Sequence, residues 1–546
     1  MGAYEETLSS VTSTMKGLEG KPNVKSPGME EVKEWAERFG TRTEFGNYNF
    51  ASVVKNRSAG LTVYLGGESV LQDNLNPRQK EILEAVPETI RLVEAYVKKA
   101  PLVKSVRRMG QNPDFSPICT LYLSTHRPEV IRLAHFFNLA LFDPVPEDLE
   151  PRFHLLDLPE WQEKDRQILV FPEIGVTYVL GSDYYGEIKK GFLRMAMWHA
   201  KQRGMLGVHA GSKILRAREP GGRMRRYSAF IFGLTATGKT THTCHTHGLS
   251  GEEEGIEIAQ DDIVILKKDW SALGTERGFF LKTEGLGPDT QPLIYRAVTQ
   301  EDAVFENVMV DYEGKVPFDD LTLTGNGRGI MQRTAFGEFM GPINIPPATE
   351  LDGAIVAFIT RRNTVMPIAA KLTLEQAAAA FMLGESVESS GGDPSRAGMS
   401  VREVGTNPFI IGNKAEEGNR FYEFLKANEG GVQAYILNTG GVGETASVGK
   451  DGKRIVKRKV LRVEIPEMAS IFRGIARGTV EWVRDRYWSL QVPKEVEGVD
   501  MSKFDPAKFY SDEDIQAMVE TLRRERLDYL RSFPGIRSEI VEAGGF

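Results

Sequence analysis

Residues Gly233-Leu234-Thr235-Ala236-Thr237-Gly238-Lys239-Thr240 fit the pattern G-x-x-x-x-G-K-[ST] in full. A loop of this kind handles phosphate. Its successive backbone N–H groups form a nest for phosphate oxygens, and the start of the following helix adds positive potential. In this pattern Lys239 reaches the terminal phosphates, and Thr240, with Thr241 beside it, is placed to coordinate Mg2+. Asp261 and Asp262, in "AQDD", supply the acidic partner that such a loop takes from the end of a neighbouring strand. Adjacent strand residues face opposite sides, so one carboxylate can bind metal while the other orients water or a ligand. Upstream, "YYGEIKKG" holds Tyr184, Lys189 and Lys190, and "GVHAGS" holds His209 between small residues. By themselves these read as a solvated helix edge and a structural histidine. The cluster "HTCHTH" (242–247) is set aside as a metal site: His242 and His245 can be helical neighbours, but His247 lies off that face.

The elements that must position these groups follow from periodicity. "YSAFIFGL" is a buried strand, the phosphate loop follows it, "TTHTCHTHG" opens a helix, and "IEIAQDDIVIL" (256–266) is a strand or strand end carrying the aspartates. Strand, loop, helix, strand is the order of a mononucleotide-binding unit. Before it, apolar spacing at Ile82, Leu83, Val86, Ile90, Val93 and Val97 predicts a helix over 76–100. Residues 165–181 predict two buried strands broken at Pro172, and 184–205 predict a helix. "LDGAIVAFI" (351–359) reads as a buried strand, and 512–533 as a charged packing helix facing solvent. The first 30 or so residues read as a mobile arm or peripheral helix, and the polar tract near 389–400 as a lid loop.

Bulk properties narrow the class. A chain of 546 residues exceeds one ordinary core, and 41% hydrophobic with 26% charged residues is a globular composition. A net charge of -7 speaks against nucleic acid as a partner. With two cysteines, Cys119 and Cys244, and no apolar stretch long enough to span a bilayer, the reading is a cytoplasmic enzyme with no membrane partner.

Together these stretches resemble the ATP-dependent phosphoenolpyruvate carboxykinase family. Its Tyr-x-Gly-Glu-x-Lys-Lys element, His before small residues, phosphate loop, double Asp, Asn-x-Arg segment and late Asn-Thr-Gly have ordered counterparts here. They are "YYGEIKK", "HAGS", "GLTATGKTT", "AQDD", "GNGR" (325–328) and "LNTGG" (437–441). "KLTLEQAAAAFMLG" resembles the family's Leu-Thr-x-Glu-Gln helix, "GKRI" its adenine-side element, and "NRSAG" a reduced form of its Arg-Ser-Pro substrate loop.

The resemblance implies a two-lobed α/β carboxykinase-like fold. A substrate-side domain would cover 1–225, and a P-loop nucleotide-binding domain with mixed sheets would cover 226–546. It implies a transition-metal site, usually Mn2+, formed by Lys190, His209 and Asp262, with Mg2+ at Thr240. Lys189 and Arg328 would face the substrate and the transferred phosphoryl group. Arg57 would grip a substrate carboxylate, Tyr184 would lie near the CO2 end, and Arg454 would pack at the nucleotide base. Gly233, Thr235, Ala236, Thr237, Gly238, Lys239, Thr240 and Thr241 would surround the phosphates of ATP. The implied reaction converts oxaloacetate and ATP to phosphoenolpyruvate, ADP and CO2, a step of gluconeogenesis. Departures cluster on the substrate side. His-Cys-Ser-Ala is His-Ala-Gly-Ser here, only Arg57 and Ser58 remain of the substrate loop, and Ile263 replaces an acidic residue after the aspartates. They leave open a related kinase that phosphorylates another small hydroxy or keto acid without loss of CO2.

Overall fold

The computed structural model describes residues 2–70, 72, 74–145, 150–234, 237–387, 399–448 and 454–546. The chain is a mixed α/β protein with several mixed sheets, packed into two compact units that interleave along the sequence. Unit 1 comprises Met1–Gly207, Leu273–Gly337 and Phe409–Asn413; unit 2 comprises Val208–Ala272, Glu338–Pro408 and Lys414–Phe546. Of the lid expectation at 389–400, all but the last two residues lie outside the described residues.

Unit 1 is built on a seven-stranded sheet. Its order is Val24–Lys25, Leu102–Arg108, Ile118–Ser124, Arg152–Leu158, Val176–Leu180, Gln167–Phe171 and Thr62–Tyr64. Strands Gln167–Phe171 and Val176–Leu180 pair antiparallel around the break at Pro172, and Gly175 closes that turn with a φ of 65°. The helix Pro77–Val97 starts at a capping box between Asn76 and Gln79 and buries Ile82, Val86, Ile90, Val93 and Val97. Against the same core packs the helix Gly2–Gly17, through Val11, Met15 and Leu18 of the first segment. The amino-terminal segment is therefore part of the fold rather than an arm: its apolar residues recur at helical spacing and are buried. A second sheet of unit 1 runs Gly278–Lys282, Arg328–Gln332, Val304–Glu306, Tyr48–Phe50 and Thr41–Arg42.

Unit 2 is built on a ten-stranded mixed sheet. At its centre Met224–Gly233, Ala354–Thr360 and Val432–Asn438 run parallel, so that Gly233 lies beside Ile359 and Thr360 beside Asn438. All seven residues of Ala354–Thr360 are buried, as a strand covered on both faces requires. On the other side Met224–Gly233 pairs antiparallel with the long strand Leu206–Arg218. Over 256–266 the chain forms two strands, Gly255–Gln260 and Ile263–Leu266, and the aspartates follow the end of the first, as the strand-end reading expects. The Leu-Thr-x-Glu-Gln stretch is a helix start: Thr373 and Gln376 form a capping box at the head of Leu374–Leu383. The helix Asp512–Arg531 differs from a purely solvated one. Its Arg526 is buried and ion-paired to Glu385 at 2.8 Å.

Candidate active site

Unit 2 carries the phosphate loop where its three parallel strands end. Gly238, at the head of the helix Lys239–Cys244, has a φ of 102°, a conformation that a side chain would strain. Thr237 folds the turn onto itself, its hydroxyl donating to the Leu234 carbonyl at 2.8 Å. Thr439, from "LNTGG", donates in turn to the Thr237 carbonyl at 2.7 Å. Thr235 and Ala236 lie outside the described residues. Lys239 Nζ donates to the backbone carbonyl of Asp261 and lies 3.9 Å from its Oδ1. Thr240, next to the half-buried Thr241, donates through Oγ1 to Asp261 Oδ2 at 3.2 Å. Asp261 Oδ1 is buried and accepts no hydrogen bond. An orphaned carboxylate oxygen beside a threonine hydroxyl is a donor set suited to a hard divalent cation, so Thr240 and Asp261 fit Mg2+.

The neighbouring carboxylate serves another group. Asp262 Oδ1 lies 3.0 Å from His209 Nε2. On the far side of the ring, His209 Nδ1 is 2.6 Å from the Thr406 carbonyl, which can only accept, so Nδ1 carries a proton. With Nδ1 protonated, Nε2 is the ring nitrogen turned to the Asp262 carboxylate. A hydrogen-bonded Nδ1–H with Nε2 turned to a carboxylate is the arrangement of a metal-ligating imidazole, and the pair fits a divalent transition metal. Arg454 begins the strand Arg454–Arg458 of a two-stranded hairpin and is ion-paired with Glu444.

Unit 1 carries the cations. Nearly the whole helix Tyr185–Gln202 is buried, so Lys189 and Lys190 do not form a solvated edge. Lys189 is ion-paired with Glu276, both side chains almost fully enclosed. Lys190 Nζ stands 4.4 Å above the ring of Phe409, and the Arg57 guanidinium 4.3 Å from the same ring. An aromatic face attracts a cation through its quadrupole, so the Phe409 ring holds both side chains. Burial lowers the pKa of Arg57, and the nearby Glu187 carboxylate opposes that effect. The loop bearing Arg57 is stapled to the start of the helix. Ser58 N–H donates to Glu187, and the N–H groups of Val53 and Val54 donate to Asp183 at 3.0 and 2.9 Å.

Asn326 joins Arg328 to Tyr184. It accepts from Arg328 Nη2 at 2.8 Å and donates to the Tyr184 hydroxyl at 3.2 Å. Glu306, opposite Arg328 in the sheet, is wholly buried. Burial pushes its carboxyl up to about 7, against the opposing pull of Arg132.

The phosphoenolpyruvate carboxykinase model for the ATP-dependent class matches residues 68–502. The chain belongs to this family. The phosphoenolpyruvate carboxykinase (ATP) of Aeropyrum pernix is 35% identical over 387 residues, covering 70% of this chain and 72% of that protein. The protein of that name from Rhizobium leguminosarum bv. trifolii is 27% identical over 384 residues, covering 66% and 64%. Phosphoenolpyruvate carboxykinase (ATP) 1 of Salinibacter ruber is 26% identical over 395 residues, covering 68% and 65%. The chain thus spans just under two thirds of the length of the latter two. The carboxykinase match begins after Arg57 and ends before the helix Asp512–Arg531.

Several partners of the candidate residues in each unit have no local signal in the sequence. Glu276, Phe409, Thr406 and Asp183 stand outside every motif, and only the fold brings them to Lys189, to Arg57 and Lys190, to His209 and to the Arg57 loop. Thr439 lies within a quoted motif, and its role as a brace for the phosphate loop needed the register of the three parallel strands. Among the described residues, no group of three or more His, Cys, Asp or Glu is placed to hold a metal ion. Nor, among them, is any helix long and apolar enough to cross a membrane.

Proposed function

We propose that the protein converts oxaloacetate and ATP to phosphoenolpyruvate, ADP and CO2. The reading is supported above all by the divided use of two adjacent aspartates. Asp261 joins Lys239 and Thr240 on the phosphate side, and Asp262 joins His209. A kinase for a simple hydroxyl needs only the first arrangement; an enolate generated next to the phosphate calls for both.

In this proposal the loop N–H groups and Lys239 hold the β- and γ-phosphates. Arg57 binds a carboxylate of oxaloacetate, Lys190 serves the metal as the family resemblance implies, and Tyr184 faces the carboxylate that leaves as CO2. Cleavage of that C–C bond leaves its electron pair on an enolate oxygen, which attacks the γ-phosphorus in line as ADP departs. Arg328 and Lys189, the latter ion-paired with Glu276, place positive charge where the phosphoryl group crosses. Arg454 is proposed at the base. Divalent ions held by Thr240 and Asp261, and by His209 and Asp262, would supply Lewis acidity toward the phosphate and enolate oxygens. The other steps ask of the chain position and charge rather than covalent chemistry. The carboxykinase fold with its nucleotide domain in the C-terminal part belongs to the same proposal.

The test is direct. Purified protein with ATP, Mg2+, Mn2+ and oxaloacetate should yield phosphoenolpyruvate and CO2 in equal amounts. No product above that of Lys239→Ala would refute it. ADP release with another small acid, without CO2, would favour the related kinase instead.

A further inference from the structure

The strand that carries His209 also carries Lys213, which is wholly buried. Lys213 Nζ donates to the carbonyls of His242 and His245 at 2.6 and 2.9 Å and faces His247 Nδ1 at 3.2 Å. Burial lowers the pKa of Lys213 to about 7; in its ammonium form the group has three N–H groups, and here it has three acceptors, which favour that form. Two of them are carbonyls at the C-terminal end of the phosphate-loop helix, where aligned backbone dipoles favour a cation.

Beyond the lysine the hydrogen bonds continue in one direction. His247 Nδ1 accepts from Lys213, so the ring proton of His247 is on Nε2, which lies 3.3 Å from His242 Nδ1. His242 therefore accepts at Nδ1 and carries its own proton on Nε2. That edge of the ring lies against Gly238: a Cβ placed there would be 3.5 Å from His242 Cδ2 and 3.9 Å from Nε2. The His247 ring is stacked on Phe472 at 4.3 Å, and its carbonyl accepts from Arg473 at 3.1 Å. Burial, aided by neighbouring positive groups, keeps both rings neutral and pushes His242 down to about 3.

The same strand explains a departure from the family pattern. A Cβ on Gly211 would lie 1.9 Å from Thr243 Oγ1, so the glycine of "HAGSK" lets the strand approach the helix. The changed residues after His209 and the histidines after Lys239 are one packing solution. Its need is plain: the helix has only six residues, too few to hold itself, so the loop ahead of it depends on outside anchors.

We propose that Lys213 is a positioning residue for the nucleotide loop, acting through a hydrogen-bonded line of His247 and His242 whose last ring packs beside Gly238. The proposal rests on the nucleotide reading of that loop.

Selective 15N labelling of the eight histidines tests the line itself. His242 and His247 should both carry the proton on Nε2 and none on Nδ1; an Nδ1–H signal from either ring overturns the proposal. Lys213→Met keeps the length of the side chain and removes its donors. The dissociation constant for ATP, by calorimetry with Mg2+, should rise about tenfold while KM for oxaloacetate moves less than twofold. A folded Lys213→Met with ATP affinity within twofold of the parent overturns it. Should that variant not fold, His242→Leu breaks only the last link. It should weaken ATP by about threefold, and unchanged affinity again overturns the proposal. Lys239→Ala, run in parallel, separates the two readings: ATP binding indifferent to Lys239 sinks the nucleotide assignment and leaves the tautomer result standing.

Discussion

Replacing Phe409 with leucine removes the ring shared by Arg57 and Lys190 and keeps an apolar side chain in a position only 3% exposed. A cation over a ring gains about 0.5–1 kcal/mol when exposed and about 2 kcal/mol when desolvated. Both partners are desolvated: burial lowers the pKa of Arg57, and Lys190 is buried in its helix. The two cations also repel each other, so the contributions do not add in full, and roughly 2 kcal/mol holds the pair in place. Without the ring, substrate binding must supply up to that amount to order them. KM for oxaloacetate should therefore rise by up to about thirtyfold, with KM for ATP unchanged. Initial rates with oxaloacetate varied at saturating ATP measure this, and Phe409→Tyr, which keeps the ring, should stay close to the parent. A leucine variant within twofold of the parent, or one that raises both KM values alike, would show that the ring does not organise the cations.

Three further outcomes follow from buried polar groups. Burial pushes the Glu385 carboxyl up, but Arg362, Arg526 and Arg402 at 2.9, 2.8 and 3.0 Å outweigh it and hold it well below the usual range. Its stabilising contribution is thus full above the unfolded value of about 4.3 and is lost as the pH falls. Glu385→Gln should cost about 3–5 kcal/mol in urea denaturation at pH 7, and a loss below about 1 kcal/mol would contradict this. Glu306 behaves oppositely. With its carboxyl raised to about 7, the folded state keeps a proton that the unfolded chain releases, so stability falls as the pH rises from about 4.3 to 7. The fall should approach about 3–4 kcal/mol and disappear in Glu306→Gln; an identical slope in the variant would rule out Glu306 as its source. Thr439→Val removes the hydroxyl that braces the Thr237 carbonyl and should weaken ATP about fivefold by calorimetry, with oxaloacetate unaffected.

What the sequence discloses is what lies close together in it. The phosphate loop is one unbroken pattern, and the helix over Pro77–Val97 and the strands around Pro172 follow from spacing alone. The aspartate pair was visible as chemistry, but whether it lay within a strand or at a strand end was not: apolar residues on both sides fit either, and the break between Gly255–Gln260 and Ile263–Leu266 decides for the end. The partners that decide charge were hidden for another reason. Glu276 and Phe409 are ordinary residues in unremarked segments, and their roles exist only because distant stretches share a core. Lys189 and Lys190 illustrate the gap. Charge alone suggests a wet surface, whereas their helix is enclosed, and each needs a partner from far along the chain.

The interleaving of the two units has a bearing on how the protein is made. Unit 1 takes its last segment, Phe409–Asn413, from deep within the second half of the chain. During synthesis the helix bearing Lys190 and the loop bearing Arg57 emerge early, yet the ring over which both sit is not available until that segment has left the ribosome. A fragment cut near residue 225 would hold most of the cations and lack the residue that arranges them. The cluster of Arg57, Lys190 and Phe409 in unit 1 is therefore a late product of translation, and the chain cannot acquire it one domain at a time.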